Sequence, residues 1–182
     1  AIGKKVIVVR DRSRTANGTI YIFDRNGKGL RTINRMGGSA EEYAYPLSII
    51  LDEDNGELFV NDRAGKMLVY DLMGNYKRTF TPKDGSFYNM DIYNFDRNNL
   101  ICRDDAWGED GLGNPNSFVV ISKQDGSITK EIEIPYKEKV SSMIFTADKR
   151  GVMPIRNRTL VPQGSDRWTL MENSSDTIYL YK

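Results

Sequence analysis

One short phrase is written four times in this chain, as Thr19-Ile20-Tyr21-Ile22-Phe23-Asp24, Met67-Leu68-Val69-Tyr70-Asp71, Phe118-Val119-Val120-Ile121-Ser122 and Thr177-Ile178-Tyr179-Leu180-Tyr181-Lys182. Each copy is a run of β-branched, aliphatic and aromatic residues, the composition of a buried strand. Three copies run into polar turns with glycine, Asp24-Arg25-Asn26-Gly27, Asp71-Leu72-Met73-Gly74 and Ser122-Lys123-Gln124-Asp125-Gly126. Glycine supplies the positive φ that a tight hairpin demands. Measured on Phe23, Tyr70, Ile121 and Tyr181, the copies lie 47, 51 and 60 residues apart. Strands repeating at such a period form an array of like units.

Two more strands flank each phrase. Upstream, an apolar run ends in two polar residues: Val8-Val9-Arg10-Asp11, Phe59-Val60-Asn61-Asp62, Ile101-Cys102-Arg103-Asp104 and Leu170-Met171-Glu172-Asn173. Downstream come Leu30-Arg31-Thr32-Ile33, Lys77-Arg78-Thr79-Phe80 and Thr129-Lys130-Glu131-Ile132. A further hairpin turn, Asp54-Asn55-Gly56, precedes Leu58 and adds a first strand over 47–51. The pattern predicts an all-β fold, a β-propeller of four-stranded antiparallel blades with three to four blades present. Residues 45–80 and 86–134 read as complete blades. Residues 1–33 read as the last three strands of an earlier blade, and 140–182 as the first three of a later one. We therefore read 1–182 as a single propeller domain or a fragment of one. Such an arc leaves apolar blade faces open, and missing blades or a second copy are expected to cover them.

Composition narrows the function classes. The chain has 182 residues, 39% hydrophobic and 28% charged, with 26 Lys+Arg against 25 Asp+Glu. A net charge of +1 argues against a general nucleic-acid binder, which needs a clustered positive excess. No apolar run reaches the length of a membrane span. The chain starts at Ala1 rather than Met, which we read as a processed N-terminus that hides any export signal. Histidine is absent, removing the commonest general base and zinc ligand. Cys102 is the single cysteine, so no internal disulfide can form, and its apolar setting reads as core. These features lean away from an enzyme.

Residues 45–80 resemble an NHL-type repeat. Ile20 to Lys28, Ile33-Asn34-Arg35-Met36-Gly37-Gly38 running to Glu42-Tyr43, and Asn173 to Tyr179 resemble a narrower group, the uncharacterised six-bladed propellers in the envelopes of anaerobic gut bacteria. The resemblance implies a six-bladed propeller, periplasmic or lipid-anchored at the outer membrane of a Gram-negative bacterium. No established reaction comes with it.

The candidate ligand-binding residues are Arg10, Asp11, Asn61, Asp62, Arg103, Asp104, Trp107 and Glu172. As paired polar residues ending the second strands, most could ring the channel mouth and suit a polar ligand, carboxylates accepting and arginines donating. The competing reading is that they satisfy backbone groups in the following loops, and their recurrence favours it. The third repeat departs from the others by its longer loop, 105–116, which places Trp107 among acidic and glycine residues, where it could stack on a sugar ring or insert into a partner. Three functions follow. The first is a non-catalytic binding or scaffold propeller that recognises a glycan, peptide or protein through one face, with no cofactor. The second is a calcium-dependent hydrolase or lactonase, with Asn61, Asp62, Asp104 and Glu172 as alternative calcium ligands. The third is a purely structural assembly module.

Overall fold

The computed structural model describes residues 1–11, 17–81, 91–103, 118–136, 138, 140, 143–148, 151–156, 160–162 and 167–181, with only the backbone described between 143 and 162. Sixteen strands and no helix occur among these residues. The first sheet has the order β1(Val6–Arg10)-β2(Ile20–Asp24)-β3(Gly29–Ile33). The second is β4(Pro46–Asp52)-β5(Glu57–Asp62)-β6(Met67–Asp71)-β7(Tyr76–Phe80), and the third is β8(Ile92–Asn94)-β9(Asn99–Arg103)-β10(Phe118–Ser122)-β11(Ile128–Ile132). A hairpin, β12(Met143–Asp148)-β13(Gly151–Arg156), follows. The last sheet is β14(Leu160–Pro162)-β15(Trp168–Met171)-β16(Ile178–Tyr181). Every strand pair is antiparallel and consecutive in sequence.

Side-chain alternation stacks the sheets. Successive residues of a strand point to opposite faces, so a strand between two neighbours serves both. In the second sheet Leu58, Val60, Leu68 and Tyr70 join Val8, Ile20, Ile22 and Ile33 of the first in one buried cluster. Their alternates Phe59, Met67 and Val69 join Leu100, Cys102, Val119 and Ile121 of the third. The third sheet's alternates Ile101, Phe118 and Val120 then pack with Trp168 and Leu170 of the last. All six residues of β5 are buried, whereas the first four of β3 and of β11 are exposed. The first strands converge, with β4 against β8, and the fourth strands splay to the outside. These are blades of a β-propeller.

Three details of the repeat were not legible beforehand. Ala1 and Ile2 run beside β1, with an Ile2–Ile7 bridge and Val8 N–H donating to Ala1 O at 2.8 Å, so they occupy the innermost position of the first sheet. Within the stretch read as the later blade, β12 and β13 pair with each other, and the three strands of the last sheet begin at Leu160. Finally, a bulge recurs at one site, at Ile22/Phe23, Val69/Tyr70 and Val120/Ile121, each time just before the hairpin into the fourth strand.

Those hairpins touch the preceding sheet. Gly74 and Gly126 have φ of 88° and 73°, and a Cβ on them would lie 3.0 Å from Ile33 and 2.6 Å from Phe80. Gly27, with φ of 84°, meets nothing within 4 Å. Gly27→Ala is therefore expected to cost about 1 kcal/mol from backbone strain alone. Gly126→Ala adds overpacking against Phe80 and is expected to cost about 1–3 kcal/mol more. Urea unfolding of the two variants measures the difference.

Candidate functional site

Strand register decides what the second-strand ends do. Arg10 lies opposite Ile20, Asn61 opposite Met67 and Arg103 opposite Phe118, while Met171 lies opposite Ile178. The fourth pair of the sequence reading is thus one residue out of step. Met171, not Glu172, matches Asn61, and Glu172 matches Asp62. The turns agree: Gly65 N–H donates to Asp62 O and Ser175 N–H to Glu172 O, each at 2.9 Å. Aligned this way, Asp11, Asp62 and Glu172 hold one equivalent position, and each is a carboxylate.

The described members of these pairs face different neighbours. Arg10 shares the face of Val8, toward the second sheet, where its guanidinium donates to Pro46 O and Leu47 O (the latter at 2.7 Å) and lies 5.9 Å from the Tyr45 ring. Arg103 shares the face of Ile101, toward the last sheet, and meets Glu172 at 3.3 Å. Both are buried, and Arg103 also donates to Met171 O at 3.4 Å. Asn61 is buried on the face of Phe59, toward the third sheet. Asp62 faces the other way and accepts from Tyr45 N–H at 2.8 Å. Arg10 and Arg103 are therefore staples between sheets, while Asp62 binds the segment that precedes β4 and Glu172 the turn that follows it. Asn61, Asp62 and Glu172 lie in different sheet interfaces and do not converge on one point. Among the described residues no group of three or more His, Cys, Asp or Glu could hold a metal ion. Asp11 is exposed just beyond β1, while Asp104 and Trp107 lie outside the described residues.

A second set of staples sits at the opposite end of the strands, and sequence reading missed it. Lys123 Nζ and Asp52 Oδ2 are 2.5 Å apart and both fully buried, and Lys123 also donates to Asp96 O at 2.6 Å. Asn55 Nδ2 bonds Asp52 Oδ2 at 2.8 Å and Arg97 O at 2.7 Å. Arg78 forks onto both Glu57 oxygens at 2.8 Å and donates to Lys123 O, again at 2.8 Å. Next to Asp52, Glu53 turns to the first sheet and accepts the N–H groups of Lys4, Lys5 and Val6 at 2.6 to 2.8 Å. Burial alone would raise the Glu57 carboxyl, but the bonds from Arg78 and Lys77 outweigh it and hold it at about 2.

The concave side of the arc carries a cavity of about 1030 Å³ along the first strands β4 and β8. Tyr93, Phe95 and Trp168 form an aromatic group on its wall, with Trp168 5.6 Å from Tyr93 and 6.1 Å from Phe95. Ser48 Oγ and Asn94 Oδ1, also in its lining, are buried and have no hydrogen-bond partner among the described residues. Such atoms call for ordered water. The alternation Ile92-Tyr93-Asn94-Phe95 was the available signal for this wall.

A family model described as a domain of unknown function, DUF4934, matches residues 1–182. The chain belongs to the DUF4934 family. No curated protein matches it. Among solved structures, the chain is similar to a Bacteroides fragilis protein provisionally designated as exported, at 15% identity and a TM-score of 0.64. That match covers 98% of this chain and 46% of the other, so this DUF4934 chain spans about half its length. Weaker likenesses are to Sqt1 of Saccharomyces cerevisiae (12% identity, 91% of this chain and 39% of the other, TM-score 0.47) and to BamB of Moraxella catarrhalis (10% identity, 97% and 46%, TM-score 0.43). No helix among the described residues is long and apolar enough to cross a membrane.

Two stability tests follow from the second set of staples. Lys123→Met strands a buried carboxylate and should cost about 3–5 kcal/mol, with part of it regained in the Asp52→Asn/Lys123→Met double variant. The Glu57 carboxyl is depressed on folding, so its stabilisation is complete above its unfolded value near 4.5 and disappears as pH falls toward about 2. Relative to Glu57→Gln, the parent should lose roughly 3 kcal/mol more of its unfolding free energy between about pH 5 and pH 2, read by urea titration at each pH.

Proposed function

We propose that this chain is part of a non-catalytic binding or scaffold propeller of the bacterial cell envelope, NHL-like and six-bladed, which recognises a glycan, a peptide or a protein partner. Ligand contact falls to the concave wall along β4 and β8 and to the loop that carries Trp107. The observation that carries this reading is the cavity lined by Tyr93, Phe95 and Trp168 beside polar groups, a combination that suits sugar rings and peptide side chains. The likeness to a protein provisionally designated as exported supports an envelope location, periplasmic or anchored at the outer membrane. The calcium-dependent hydrolase has less support, because three of its ligands, Asn61, Asp62 and Glu172, serve separate sheet interfaces. A purely structural module is the remaining alternative.

The chain holds two tryptophans, Trp107 and Trp168, which makes the site separable by fluorescence. Hits from a glycan and peptide array are titrated into the parent, Trp107→Phe and Trp168→Phe, the last chosen to keep the aromatic packing. A spectral change that survives Trp107→Phe and vanishes in Trp168→Phe assigns the concave wall. The reverse pattern assigns the loop. An array without hits removes the support for a glycan or peptide ligand.

A further inference from the structure

The end of the second strand is one equivalent position in the first three sheets, and arginine holds it in two of them. Arg10 crosses from the first sheet to the second, where its guanidinium donates to Pro46 O and to Leu47 O at 2.7 Å. Arg103 crosses from the third sheet to the last, where it donates to Met171 O at 3.4 Å and meets Glu172 at 3.3 Å. Between the second and third sheets the position holds Asn61, an uncharged side chain several bonds shorter. The two flanking interfaces thus seat a guanidinium on carbonyl and carboxylate oxygens, at a level where the middle one has an amide.

The concave cavity reaches this middle interface. Ser48 lies opposite Asn61, on the face of Ile50 and Phe59 that packs against Ile92 and Leu100 of the third sheet. Asn94, opposite Leu100, lies farther along the same interface. Both Ser48 and Asn94 line the cavity, and Ser48 Oγ and Asn94 Oδ1 are buried with no hydrogen-bond partner among the described residues. A buried oxygen in that state gains most from a strong donor, and a charged donor is the strongest. The far end of the interface shows how it holds a cation: Lys123 Nζ sits between Asp52 Oδ2 at 2.5 Å and Asp96 O at 2.6 Å.

We propose that the concave cavity takes a peptide through an arginine side chain, whose guanidinium enters between β4 and β8 beside Ser48 and Asn61. There it lies in the place that Arg10 and Arg103 fill in the flanking interfaces. The planar fork suits several oxygens at once, and a backbone N–H of the same peptide donates to Asn94 Oδ1. The proposal rests on the reading that the concave wall binds a ligand, and it names the class of that ligand.

The test titrates the 182-residue chain by calorimetry with acetyl-Gly-Arg-Gly-amide and with its uncharged counterpart acetyl-Gly-Gln-Gly-amide. The arginine peptide should bind saturably with a Kd of about 1 mM or below, and the glutamine peptide at least about tenfold more weakly. Ser48→Ala should weaken the arginine peptide by at least about threefold. Asn61→Arg supplies the chain's own guanidinium and should abolish binding; if that variant does not fold, Ser48→Ala carries the test. Three results would overturn the proposal. They are no saturable binding of the arginine peptide below about 10 mM, equal affinity for the two peptides, and parent affinity in the folded variants, which would place the peptide elsewhere. An array hit that changes Trp168 emission while the arginine peptide fails to bind overturns the ligand class and leaves the concave wall as a binding site.

Discussion

The structure depends on one constraint, the two-residue period of a strand placed between two apolar neighbours. Because β5 and β6 are buried on both faces, each alternate residue must satisfy a different sheet. Leu58 and Phe59 are adjacent in sequence yet belong to different cores, and a slip of one residue would exchange all of these assignments together. Burial on this scale, roughly 1.5–3 kcal/mol for each large apolar side chain, is the main favourable term holding sheet to sheet. It is local in kind, since every sheet needs only its two neighbours.

Polar staples refine what apolar stacking leaves loose. At one end of the strands Arg10 and Arg103 cross to the following sheet. At the other, Lys123 reaches Asp52 across 71 residues of sequence. A buried ion pair adds little net stability over an apolar pair, but it penalises any arrangement that leaves one charge alone. Together these contacts make misregistered stacking costly at both ends of the interface. The same groups are thereby committed to holding sheet to sheet.

Much of this was readable from the residues. The repeated phrase, the glycine turns and the flanking apolar runs placed β2, β6, β10, β16 and the strands around them, because strand and hairpin signals lie within a few residues of one another. The polar pairs at second-strand ends were also visible as a recurrence. Their partners were not readable, because pairing between sheets joins residues far apart in sequence. The fourth copy shows the limit well: Leu170-Met171-Glu172-Asn173 resembles the other three by eye, but hydrogen-bond register puts Glu172 with Asp62 and Met171 with Asn61. The pairing of β12 with β13 was not readable for a related reason. An apolar strand carries no mark of which strand it will pair with, and here the pairing is internal.

By itself the sequence determined that this protein is an array of antiparallel sheets with hairpins at fixed places, because alternation and turn chemistry act over two to five residues. Only the tertiary structure decided which side chains lie between sheets and which line the concave cavity. Those outcomes depend on how one sheet's faces meet the next. That meeting brings Lys123 to Asp52 and Tyr93 to Trp168, and it leaves Ile178 and Leu180 facing outward.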